Sequence, residues 1–144
     1  MRLRRNVRGI VSSTLSGEPR FLLLLARKGY WQCPNGGMDD GESEVQALIR
    51  EIAEETGLLR VKVLEETRTT REYDAERHGE PIHVMLAAYL VEADMAETVT
   101  IGNSEDRHLE SRWVAYDEAL TMLNRYPEQR PVFEEVCKKG GLVR

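Results

Sequence analysis

Gly36-Gly37-Met38-Asp39-Asp40-Gly41-Glu42-Ser43-Glu44-Val45-Gln46-Ala47-Leu48-Ile49-Arg50-Glu51-Ile52-Ala53-Glu54-Glu55-Thr56-Gly57-Leu58 runs from a glycine-rich loop into a helix. Ser43 is a good N-cap, and Gln46 three residues later completes a Ser-x-x-Gln capping box. Val45, Leu48, Ile49, Ile52 and Thr56 recur at helical spacing and predict a mostly apolar stripe. Gly57 suits the left-handed position that ends many helices. Glu51, Glu54 and Glu55 stand at i, i+3 and i+4, so the helix gathers three carboxylates on one face. Like charges crowded in this way call for a positive partner, and hard divalent cations take oxygen ligands. The cluster therefore reads as a metal site. A solvated amphipathic helix laced with Glu/Arg pairs is the competing reading.

Pro34 to Gly41 continues neither helix nor strand easily, and its glycines permit close backbone approach to a ligand. Working outward, Val7 to Thr14 and Phe21 to Arg27 read as a hairpin around a Gly17-containing turn. Arg60 to Arg71 reads as a strand, Asp74 to Glu80 as a charged turn and Pro81 to Val91 as a strand. Asn103 to Glu110 reads as a polar loop and Arg112 to Ala115 as a short strand. Two closing helices follow, Asp117 to Asn124 and Pro131 to Lys138. Strands interleaved with helices predict an α/β sandwich around a mixed β-sheet.

The 144 residues fit a single domain spanning 1–144. A hydrophobic share of 41% beside 31% charged residues is ordinary for a globular protein. The net charge of −5 argues against coating nucleic acid. The basic start at Met1 to Arg8 lacks the apolar run of a signal peptide. Phe21 to Ala26 is too short to span a membrane. Cys33 and Cys137 read as reduced thiols of a cytoplasmic protein, with Cys33 a packing residue.

The stretch Gly36 to Leu58 resembles the signature of the Nudix hydrolases, G-x5-E-x7-R-E-U-x-E-E-x-G-U with U aliphatic, at every fixed position. The resemblance implies a three-layer α/β/α sandwich and hydrolysis of a phosphoanhydride with Mg²⁺, Mn²⁺ being the substitute. It implies metal ligation by Glu51, Glu54 and Glu55, with one of the cluster deprotonating water and the choice among them left open. Arg50 matches the arginine that orients the neighbouring glutamates, and Glu42 a structural position. The carbonyl of Asn35 beside Gly36 matches a backbone metal ligand. Some members use an acid from a late loop; Glu105 is the candidate here, with Asp106 and Glu110 behind it.

Arg27 and Lys28 are candidates for phosphate contacts, and Tyr30, Trp31 or Tyr73 for base stacking. Trp31 to Gly37 resembles the W-Q-x-P-Q-G-G run of dinucleoside polyphosphate hydrolases and RNA 5′-pyrophosphohydrolases, with Asn35 replacing Gln. Tyr73 resembles the tyrosine of the former group. The expected substrate is a small nucleoside diphosphate-linked molecule, a dinucleoside polyphosphate first. A nucleoside triphosphate pyrophosphohydrolase comes second, and an RNA 5′-pyrophosphohydrolase or a non-catalytic nucleotide sensor further behind. Neither a membrane nor a nucleic-acid partner is expected, and a homodimer is left open.

Overall fold

The computed structural model describes residues 1–101 and 108–143. Its central element is one mixed sheet. Strand β1 (Arg2–Ser13) lies between β2 (Arg20–Ala26) and β6 (Glu80–Ala93). Beyond β2 comes β3 (Trp31–Gln32), and beyond β6 comes β5 (Val61–Arg77). Strand β4 (Asn35–Gly37) pairs with β1, and β7 (His108–Val114) with β2. The β1–β6 pair is parallel and the others are antiparallel.

Strands buried on both faces explain the unbroken leucine run of β2. Leu22 joins Val7, Val11, Tyr89 and Val91 under helix α1 (Glu44–Thr56). Phe21 and Leu23 point the other way. They join Ile10, Ala88 and Leu90 under α2 (Tyr116–Met122) and α3 (Gln129–Lys139). The Phe21 and Phe133 rings meet edge to face at 5.0 Å, a geometry worth about 0.5–1.5 kcal/mol beyond area burial. The sandwich expected from the interleaved elements is the fold observed.

Helix α1 begins and ends where its sequence directs. The Ser43 hydroxyl accepts from the Gln46 amide, and the Gln46 side chain accepts from the Ser43 amide. Gly57 closes it at φ 74, a conformation that penalises a Cβ. Ala47, Leu48 and Ile52 are buried, whereas Ile49, expected in the stripe, is exposed.

Several boundaries differ from expectation: β1 begins at Arg2 rather than Val7, because its first residues pair with β6, and Asn35–Gly37 of the expected loop pairs with β1 as β4. Asp74 to Arg77 belongs to β5, and the turn shrinks to His78-Gly79, both at positive φ. Two such residues make the tight hairpin connection that matches strand twist. The expected loop to Glu110 gives way at His108, where β7 already pairs with Ala26. Among the described residues, no helix is long and apolar enough to cross a membrane.

Candidate active site

The α1 glutamates meet β4 at the edge of the sheet. A Cβ built on Gly36 would lie 2.0 Å from the Glu51 carboxyl carbon, so glycine is what admits that carboxylate. Glu51 and Glu55 are buried, while the Glu54 side chain is 46% exposed. Glu55 accepts a 2.9 Å hydrogen bond from the Asn35 amide, which ties the helix to the loop.

Arg50 organises the group. Its Nε and Nη2 form a fork on Glu42 at 2.7 and 2.9 Å. Nη2 also donates to the Gly37 carbonyl at 2.9 Å. Nη1 donates to Glu51 at 2.9 Å and reaches Glu54 at 3.3 Å. One guanidinium thus connects the loop carbonyl, the loop-end acid and two cluster acids.

Hydrogen bonding from Arg50, then from the Asp39 amide, holds the Glu42 carboxyl down at about 2. Because the folded value lies below the ordinary 4.5, the resulting stabilisation is complete above pH 4.5 and is lost as pH falls toward 2. Glu42→Gln should therefore flatten the acid limb of stability in that window. Melting curves across that range check this, and an unchanged slope contradicts it.

The sequence reasoning missed His108, a buried residue of β7. Its Nε2 lies 2.8 Å from the Gln32 amide nitrogen and 3.6 Å from Glu55. The only available signal was its place at the end of a charged run, which marks no strand.

A concavity of about 750 Å³ opens beside Asn35, lined by Tyr30, Tyr73, Tyr126, Arg8 and Gln129 among others. Tyr73, a stacking candidate, therefore faces it, and burial pushes its phenol up. The Tyr30 and Tyr126 rings stand edge to face at 5.6 Å. Arg8 was not foreseen. Its side chain is 10% exposed, its Nη2 donates to Glu128 at 2.9 Å, and its Nη1 has no hydrogen-bond partner among the described residues.

Other candidates fall elsewhere. Arg27 and Lys28 sit on the exposed β2–β3 turn and do not line this concavity. The Trp31 ring lies 4.9 Å beneath the Arg112 guanidinium rather than in the concavity. Glu105 and Asp106 lie outside the described residues. Glu110 is on β7 with Arg112 at 3.3 Å. Cys33 is a buried core residue whose thiol burial pushes up to about 12, so it carries no thiolate near neutrality.

A family model described as NUDIX domain matches residues 3–136. The chain belongs to the NUDIX family. As a Nudix protein it is a hydrolase of phosphorus-containing anhydrides. Nudix hydrolase 25 of Arabidopsis thaliana is 30% identical over 128 residues, covering 78% of this chain and 72% of that protein. An RNA pyrophosphohydrolase of Brucella ovis is 48% identical, but over only 48 residues, 33% of this chain and 27% of that protein. Among solved structures, a C. elegans Ap4A hydrolase in a binary complex matches at TM-score 0.78 and 25% identity, covering 96% of this chain and 98% of that one.

Proposed function

We propose that this Nudix hydrolase is a Mg²⁺-dependent pyrophosphohydrolase of nucleoside diphosphate-linked substrates, with dinucleoside polyphosphates the favoured class. The observation that carries this reading is the tyrosine-lined concavity directly beside the Asn35–Glu55 junction, with a buried arginine in its wall. A base fits tyrosine faces, and a phosphate fits an arginine.

The residues fit a hard cation by their chemistry. Glu51, Glu54 and Glu55 offer only oxygen, and Gly36 keeps the space that Glu51 occupies. Among the described residues no three His, Cys, Asp or Glu side chains are placed together so as to hold a metal ion by themselves. Mg²⁺ ordinarily binds through one or two carboxylates, several waters and substrate phosphates, so an open arrangement suits it. The Asn35 carbonyl beside Gly36 is the proposed backbone ligand. When bound, the cation neutralises phosphate oxygens and favours deprotonation of water.

The chain's own residues do the rest. Arg50 fixes Glu51 and the Gly37 carbonyl in one frame, so the acids keep their orientation through turnover. Glu55, held by the Asn35 amide, moves with the loop. Tyr73, with Tyr30 and Tyr126, seats the nucleoside and positions the scissile phosphate over the glutamates. No activated Ser, Cys or His nucleophile lies among the described site residues, so water attacks phosphorus directly.

Diadenosine tetraphosphate and a panel of nucleoside triphosphates, each with Mg²⁺, test the reading. The expected result is hydrolysis of the dinucleotide that excess chelator abolishes, with ¹⁸O from water in one phosphate product after a single turnover. Undiminished turnover in chelator, or a trapped phosphoryl- or nucleotidyl-enzyme, overturns it.

A further inference from the structure

Although the chain carries a net charge of −5, several of its arginines gather on one face of the sheet. Strand alternation puts Arg2, Arg4 and Arg8 of β1 on one face. Register carries that face across the neighbouring strands, where Arg4 aligns with Val84 and Tyr73, and Arg2 with Ile82 and Ala75. Arg77 closes the far end of the same face on β5.

The tyrosine-lined concavity near Arg8 also contains Arg4, Arg77 and Ile82. A second concavity of about 900 Å³ contains the same three residues together with Arg2 and the Gly37 to Glu42 loop. Sharing Arg4, Arg77 and Ile82, the two adjoin as lobes of one groove, and the second also reaches Leu3 and Arg5, which alternation puts on the other face. Each lobe has the size of an ordinary small-ligand site. From Arg2 to Arg8 the strand rises about 20 Å, more than the base and sugar of one nucleotide span.

Among the described residues, Arg2, Arg4 and Arg77 have no carboxylate partner, and Arg8 alone of the four is in an ion pair. Three guanidinium groups without a carboxylate partner, of which Arg4 donates through Nε to Asn6 Oδ1 at 2.9 Å, are suited to phosphate oxygens. Asp39, Asp40, Glu42, Asp74, Glu76, Glu80 and Glu128 also line the groove and outnumber its arginines, so it does not offer the continuous basic track that a long polyanion needs.

We propose that the Arg2, Arg4 and Arg77 lobe is the subsite for the second nucleoside and distal phosphates of a dinucleoside polyphosphate, while the tyrosine lobe holds the first nucleoside. This assignment rests on the nucleotide-hydrolase reading above. It makes the arginine lobe the device that distinguishes a dinucleotide from a mononucleotide.

The test compares the parent with Arg2→Gln/Arg77→Gln, two exposed positions away from the core. With Mg²⁺, KM for diadenosine tetraphosphate should rise about tenfold or more, roughly the loss of one charge-assisted contact, and the change for ATP should be several-fold smaller. Arg4→Gln should act in the same direction; because Arg4 packs on Gly37, its effect on ATP is read alongside. An unchanged KM for the dinucleotide, or equal losses on both substrates, overturns the subsite. A larger loss on a 5′-triphosphorylated oligoribonucleotide than on the dinucleotide makes RNA the occupant and also overturns it. Binding of the dinucleotide to metal-free protein separates this proposal from the catalytic one. If the parent hydrolyses no nucleotide, the hydrolase reading fails, but a weaker Kd in the double variant still upholds the groove and an equal Kd rejects it.

Discussion

Glu54→Gln is expected to lower turnover with Mg²⁺ by about 100- to 1,000-fold, the scale of losing several kcal/mol of charge stabilisation at the reacting phosphate. Its effect on the metal-free fold should be the reverse. The Glu54 side chain is 46% exposed, and its one ion pair among the described residues is a long 3.3 Å contact from Arg50. Such a surface pair is worth little, about 0–1 kcal/mol, and the carboxylate sits one turn from Glu51 and next to Glu55. Gln keeps the shape and removes one of three like charges. Melting in excess chelator should therefore be unchanged or slightly higher, the pattern of a site where function is held against stability. A surface glutamate gives near-normal turnover, and a structural one gives a clear drop in chelator melting temperature. Either outcome removes Glu54 from the proposed metal ligands.

How much of this was legible in the sequence depended on the range of the interaction. Helix α1 was readable because its signals are local: the Ser43–Gln46 box, the buried Leu48 and Ile52, and the Gly57 stop lie within one segment. Although Glu42, Glu51 and Glu54 lie within eight residues of Arg50, its fork on Glu42 was not foreseen, and the Arg50 frame was legible only through the resemblance of the Gly36 to Leu58 stretch. The end of the β5–β6 hairpin was not, because Asp74 to Arg77 carries charge on a solvated strand and shows no apolar period. Nor was the groove. Alternation alone aligns Arg2, Arg4 and Arg8, but nothing local indicates that Glu128, 120 residues away, ties down Arg8. Tyr126 meets Tyr30 by the same kind of distant contact. Arg27 and Lys28 illustrate the converse: adjacency to the loop in sequence suggested phosphate contact, yet the turn after β2 leaves both exposed outside the groove.

Arg50→Lys should impair both turnover and the fold, and that combination separates a positioning residue from a ligand. A guanidinium donates along several fixed directions, and Arg50 uses them on Glu42, Glu51 and the Gly37 carbonyl at 2.7–2.9 Å. An ammonium on a flexible stem carries the same charge but cannot hold both oxygens of Glu42 and reach the other two partners. Glu51 is 6% exposed, so the partner left behind is a nearly buried carboxylate. Breaking a fully buried pair costs about 3–5 kcal/mol; with the Arg50 side chain 27% exposed and the lysine charge retained, about 2 kcal/mol is the reasonable scale. For a chain of this size that corresponds to a melting shift of roughly 4–8 °C in chelator. Turnover should fall about 10- to 100-fold, as when the group that orients a ligand is changed and the ligand itself kept. Glu54→Gln and Arg50→Lys thus leave opposite marks on the metal-free protein while both slow the enzyme. If Arg50→Lys melts with the parent in chelator, the frame is not what holds Glu51 in place, and its orientation must come from its burial against Gly36 instead.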